Sequence, residues 1–182
     1  MKVIAIVGMS GSGKSEVAQV FEKKGFARIR FGDITDKEVL RRGLELSEEN
    51  ERKVREQLRA QHGMAAYAIL NIPEIDSALE KSNVIVDGLY SCEEYKLLKE
   101  RYGDNLVIVA VYSSPGTRQD RLGQRLIRPL TRAESLSRDY AEIEKLHKGG
   151  PIAVADFTLV NEAISMEELQ KETERLIAKL GK

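Results

Sequence analysis

The stretch Val3-Ile4-Ala5-Ile6-Val7-Gly8-Met9-Ser10-Gly11-Ser12-Gly13-Lys14-Ser15 decides the fold. Five consecutive apolar residues are what a strand needs when it is buried on both faces, as in a parallel sheet. The next eight residues satisfy G-x-x-x-x-G-K-[ST] at every fixed position, and a helical stretch follows over about residues 13–24. Glycines let the loop fold tightly, so that successive N–H groups turn inward toward phosphate oxygens. The helix N-terminus adds partial positive charge at the same place. Lys14 then reaches the β- and γ-phosphates, and Ser15 offers a hydroxyl to Mg²⁺. Gly8, Ser10, Gly11, Ser12, Gly13, Lys14 and Ser15 are therefore the expected binders of ATP. A flexible glycine turn with an incidental lysine would not put strand, motif and helix in one register. A dinucleotide fold is disfavoured, because Gly11 and Gly13 are followed by Glu16 and G-x-G-x-x-G is not met.

Outward from this stretch, strands and helices alternate. Residues 27–31, 84–86, 106–111 and 157–160 read as further strands. Residues 33–70 read as helical, broken near Gly43 and Gly63, with Ser47 as a helix start and another short helix over 73–80. Helices are also expected over 93–101, from Pro115 to about Arg128, over 133–148 and over 166–180. Such alternation implies parallel pairing through helical crossovers, hence an α/β three-layer sandwich with a sheet of about five parallel strands. Residues 1–182 form a single domain.

Ligands in such a sheet sit outside the carboxyl ends of the strands, so each strand exit is a candidate. Asp87 ends a buried strand, as a Mg²⁺-orienting acid does; the plainer reading is a turn aspartate in Asp-Gly. Asp33 follows Gly32 at a helix start. It reads as an N-cap or as the group that orients or deprotonates the acceptor. Arg118, Arg121, Arg125 and Arg128 are spaced 3, 4 and 3, which is one stripe of a helix. A solvated face is the ordinary reading of a charge stripe. This one starts at a strand exit, where Arg121 and Arg125 would neutralise a transferring phosphoryl group and Arg118 would touch the donor. The last strand exits at Asn161-Glu162.

Lys+Arg and Asp+Glu both number 29, a formal net charge of +0, which argues against a chain that coats a nucleic acid polymer or an acidic membrane. The single cysteine, Cys92, excludes an internal disulfide framework, and His62 and His147 have no metal spacing. The apolar run Val3–Val7 is too short for a signal peptide or a membrane span, so a cytoplasmic protein is expected.

Along nearly its whole length the chain resembles P-loop kinases of the adenylate-kinase-like branch, in particular the archaeal adenylate-kinase-related family, and it shares features with dephospho-coenzyme A kinases. The matching pieces are the residues from Val7 to Ser15, Phe31-Gly32-Asp33, Val86-Asp87-Gly88, Ser114-Pro115-Gly116-Thr117-Arg118 with Arg121-Leu122 and Arg125, Arg138-Asp139, and the residues from Ala155 to Asn161. The resemblance implies strand order 2-3-1-4-5, an acceptor-binding segment over about 33–70, a lid over about 125–138, and Asn161 bordering the adenine. It implies ATP- and Mg²⁺-dependent transfer to a small phosphate-bearing acceptor, a nucleotide in the first reading and dephospho-coenzyme A in the second. An ATPase switch acting on a protein partner is the reading from a different class.

Overall fold

The structure, a computed structural model, describes residues 1–126 and 129–181. The strands β1 (Val3–Val7), β2 (Ala27–Arg30), β3 (Val84–Asp87), β4 (Leu106–Tyr112) and β5 (Phe157–Val160) pair in parallel in the order β2-β3-β1-β4-β5. β1 lies at the centre, and every one of its side chains is fully buried. Because successive side chains leave a strand on opposite sides, Val3, Ala5 and Val7 enter one apolar layer while Ile4 and Ile6 enter the other. The first layer is completed by Val39 of α2 (Asp33–Arg41), Val54 and Leu58 of α3 (Glu48–His62), Ile75 of α4 (Ala66–Leu79) and Leu98 of α5 (Cys92–Tyr102). The second is completed by Val17 and Phe21 of α1 (Lys14–Lys23) and by Leu169 and Leu176 of α9 (Met166–Leu180). Each such side chain stabilises the fold by about 1.5–3 kcal/mol, and the central strand draws on both layers.

Local signals set most helix ends. Gly25, at φ 92°, ends α1, and the Phe26 N–H returns to the Phe21 carbonyl at 3.2 Å. Ser47 caps α3 through the Asn50 N–H at 3.3 Å. Ser91 and Glu94 form a reciprocal capping box on α5.

Four expectations are corrected. The helix expected to start at Pro73 is the second half of α4, which runs through that proline; the Pro73 ring lies on the exposed side, where water can take the one carbonyl left unpaired. The helix expected from Pro115 to Arg128 is α6 (Pro115–Gly123), because the chain doubles back and the Leu130 N–H bonds the Leu122 carbonyl at 3.1 Å. The helix expected over 133–148 is α7 (Arg132–Glu144); His147 takes a left-handed φ of 54°, and a short α8 (Gly149–Ala153) follows. Asp33 is the first residue of α2 rather than its cap, the cap position being Gly32.

Glu94 is wholly buried: one carboxylate oxygen accepts the Tyr90 and Ser91 N–H groups at 2.7 and 3.2 Å, and the other has no hydrogen-bond partner among the described residues. Burial pushes its carboxyl up to about 7 against the pull of those N–H groups. The folded state then holds a proton that the unfolded state releases near pH 4.5, so this contribution is lost as pH rises from about 4.5 through 7. Glu94→Gln should keep the cap and remove that slope, a difference of about 1–3 kcal/mol between the two pH limits. Urea midpoints of both proteins at pH 5 and pH 8 measure it; parallel pH profiles would refute it.

Candidate active site

The phosphate loop joins β1 to α1. Gly8 and Gly13 have φ of 146° and 98°. A side chain would drive Gly8 into the Val111 carbonyl and Gly13 into the Asn161 amide, so both strain and space require glycine. The exits of β1, β4 and β5 are stitched together beneath the loop. Asn161 Nδ2 donates to the Ser12 carbonyl at 2.9 Å, and Ser113 Oγ donates to the Asn161 carbonyl at 2.6 Å. Arg121 donates to Ser113 Oγ at 2.9 Å and to the Asn161 carbonyl at 3.1 Å. A groove of about 360 Å³ runs along the loop, lined by Gly11, Gly13, Lys14, Ser15, Arg121, Arg125, Asn161, Ile164 and Met166 among others.

Lys14 curls back, its Nζ donating to the Met9 carbonyl at 2.9 Å. Burial, and then the charge of Lys148, lower its ammonium from 10.5 to about 7, with Glu142 and Asp87 acting in the opposite sense. Asp87 stands next to β1 in the sheet register and pairs with Arg28 at 2.6 Å. The donor set fits Mg²⁺ on a polyphosphate: the Ser15 hydroxyl and the Asp87 carboxylate are oxygen ligands of the kind that ion takes while keeping several waters. Among the described residues no group of three or more His, Cys, Asp or Glu side chains forms a metal cage, so a cation here would lean on substrate phosphates. Ser12 Oγ, in the same loop, is buried without a partner among the described residues.

A second, larger cavity of about 730 Å³ opens on the α2–α3 side. Arg30, Arg52, Arg55, Arg59, Arg138 and Lys145 line it, with Asp36, Glu48, Glu51, Glu56 and Glu142, and Tyr67 and Tyr90 provide aromatic wall. Tyr67 shares a 2.6 Å hydrogen bond with Thr35, and the Arg59 guanidinium lies 5.3 Å from the Tyr67 ring centroid. Asp33 does not line this cavity. Its carboxylate is drawn to Arg30 at 3.4 Å, and Asp36, one turn further along α2, is the aspartate on the wall.

The arginine stripe comes apart in the structure, since α6 ends at Gly123. Arg118, expected on the donor, is only 5% exposed and forks onto Asp139 of α7 at 2.8 and 2.7 Å. Its remaining donors go to the Ser10 carbonyl at 3.1 Å and the Ser113 carbonyl at 3.2 Å, so it braces the loop from behind. Arg121 and Arg125 line the groove along the phosphate loop, Arg125 from beyond the helix end. Arg128 lies outside the described residues, as does Ile127 of the expected lid.

Sequence reasoning missed Glu142 and Lys148. Glu142 accepts the Ser10 hydroxyl at 2.6 Å, the Ser10 N–H at 3.3 Å, Lys148 at 2.9 Å and Arg138 at 3.3 Å. Burial opposes its ionisation, but the charge and hydrogen bond of Lys148, the Ser10 hydroxyl and the Arg138 charge prevail and hold it at about 2. The only local signal was Arg138–Glu142, an i,i+4 pair.

The strand order and the loop define a P-loop kinase-like fold, and comparison with known proteins places the chain more closely. Residues 4–145 match a family model described as an AAA domain. The chain is 38% identical over 179 residues to a UPF0200 protein of Thermococcus kodakarensis, with 96% of each chain covered. It is 38% identical over 180 residues to the UPF0200 protein of Hyperthermus butylicus, covering 98% of this chain and 94% of that one. The chain belongs to this AAA-domain family and, within it, to the UPF0200 proteins. Among solved structures, TT1252 from Thermus thermophilus matches with a TM-score of 0.64 at 22% identity, covering 100% of this chain and 98% of that one. Shikimate kinase from Bacteroides thetaiotaomicron matches with a TM-score of 0.60 at 16% identity, covering 97% and 98%. A gluconokinase from Sinorhizobium meliloti matches with a TM-score of 0.58 at 19% identity, covering 98% and 93%. At these identities the likeness is one of fold. No described helix is long and apolar enough to cross a membrane.

Two outcomes follow from this geometry. Arg118→Ala strands Asp139 in the interior and should cost about 3–5 kcal/mol of stability, read as a lowered urea midpoint; an unchanged midpoint would show that the fork is dispensable. An anionic phosphate beside Lys14 must raise its depressed pKa, so triphosphate binding near pH 8 should take up about one proton, and affinity should fall as pH rises above about 7. Calorimetry in buffers of different ionisation enthalpy measures the uptake, and Lys14→Met should abolish it.

Proposed function

We propose that the protein is an ATP- and Mg²⁺-dependent phosphotransferase that moves the γ-phosphoryl group to a small phosphate-bearing acceptor, a nucleotide in the first instance. The observation that carries this reading is the link between cavity and loop: Glu142, on the wall of the arginine-lined cavity, accepts the N–H of Ser10 in the phosphate loop, whose Gly11, Gly13, Lys14 and Ser15 line the groove. Loop amides and Lys14 hold the donor phosphates, and Arg121, Arg125 and Asn161 border the rest of the nucleotide. Ser15 and Asp87 hold the cation, which when bound offsets the charge of the phosphate oxygens. On the acceptor side, Arg59 is backed by the Tyr67 ring, and Asp33 orients Arg30. Arg59 and Arg138 give planar, permanently charged partners to the acceptor's own phosphate.

One observation favours a second acceptor chemistry. The Asp36 carboxylate on the cavity wall could take the proton of a hydroxyl, which is what a ribose acceptor such as that of dephospho-coenzyme A would require.

Incubation with Mg·ATP and a panel of nucleoside monophosphates plus dephospho-coenzyme A, followed by ADP formation, tests both. Acceptor-dependent ADP release is expected, and equal release with and without every acceptor would overturn the kinase reading. Lys14→Ala should remain folded and lose about 100-fold or more in kcat/KM. Arg59→Ala should raise KM for the acceptor while leaving KM for ATP within about twofold.

A further inference from the structure

A buried lysine stands behind the carboxylate that links the arginine-lined cavity to the phosphate loop. Lys148 is 2% exposed, its Nζ 2.9 Å from Glu142 and 5.4 Å from the Tyr90 ring centroid. Burying an ammonium is costly unless it is paired, and a carboxylate and an aromatic face supply the pairing here. The chain is bent to put it there. His147 adopts the left-handed region without being glycine, and the Lys148 N–H then closes on the Glu142 carbonyl at 3.1 Å. The Glu142 oxygen that receives Lys148 also receives the Ser10 N–H. A carboxylate therefore sits on an amide of the phosphate loop, the kind of group that phosphate oxygens take in a nucleotide complex. Lys14, which reaches the β- and γ-phosphates in such loops, feels the charges of both Glu142 and Lys148.

We propose that Lys148 is a catalytic residue: Glu142 keeps its ammonium beside the Ser10 amide, and the γ-phosphate takes over that ammonium when a triphosphate fills the loop. This rests on the kinase reading above. In the transfer, the bond from the γ-phosphorus to the β–γ bridging oxygen breaks and a bond to an ionised oxygen of the acceptor phosphate forms. Lys148 stays protonated and offsets charge on the non-bridging oxygens, while Glu142 remains a carboxylate paired with Arg138.

The test compares ATP and ADP, which differ by the group Lys148 is to meet. Lys148→Met should weaken ATP binding about tenfold or more, leave ADP within about twofold, and lower kcat about 100-fold; Lys148→Arg should recover part of the kcat. Glu142→Gln removes the competing anion and should shift the ratio of affinities toward ATP, which keeps the test open if Lys148→Met does not fold. Equal weakening of ATP and ADP in every folded variant means that the pair only supports the fold, and overturns the inference. If wild-type protein binds no ATP or shows no acceptor-dependent transfer, the kinase reading fails first. Wild-type transfer with an unchanged ATP/ADP ratio in Lys148→Met and Glu142→Gln removes the role of Lys148 alone.

Discussion

The fork between Arg118 and Asp139 is the interaction on which the site depends. A bidentate guanidinium–carboxylate pair with both partners buried has one good geometry, and either partner alone would be a stranded charge. Because the same guanidinium also holds the Ser10 and Ser113 carbonyls, that geometry fixes the phosphate loop, the exit of β4 and α7 relative to one another. Glu142 lies on the same helix as Asp139 and holds Ser10 from its amide and hydroxyl. Ser10 is thus bonded through its carbonyl, its amide and its side chain to groups anchored on α7 or on the arginine that clamps it. The Arg118–Asp139 fork braces the loop from behind, through the Ser10 and Ser113 carbonyls.

Charge compensation around the loop follows from that arrangement. Lys14, Lys148 and Arg138 crowd one region, and Glu142 and Asp87 are the acids that make the crowding tolerable. The balance is deliberately incomplete at Lys14, whose ammonium is weakened by burial and by Lys148. On the proposed function, an arriving polyphosphate would supply the missing anions where the chain by itself is electrostatically short.

The parts of the molecule legible in sequence are those whose cause is local. β1 is an unbroken apolar run, the loop is contiguous, and Gly25 and Ser47 mark helix ends by chemistry within a few residues. The strand order also agreed with the family resemblance, and β1, β3 and β4 each carry an apolar run, whereas β2 is the alternating Ala27-Arg28-Ile29-Arg30. What escaped depends on distant partners. The stripe from Arg118 onward looked unpaired because its acid, Asp139, belongs to the next helix, 21 residues on. Glu142 and Ser10 are 132 residues apart, and no spacing rule links them. Asp33 was read from its place after a strand, whereas the cavity wall, which Asp36 joins, is set by how α2 packs against α3 and α4.

The state of Lys14 reaches beyond phosphate binding. An ordinary lysine at pH 7 is a free amine in roughly one molecule in 2,500, and so reacts sluggishly with electrophiles. Burial and the charge of Lys148 lower the Lys14 ammonium to about 7, so Lys14 carries far more free amine at neutral pH than an ordinary lysine, and it lines a groove. The loop thus carries a nucleophile at Lys14. Acylating or carbamylating reagents would find Lys14 before its neighbours, and an occupied loop, by restoring the ammonium, would shield it chemically as well as sterically.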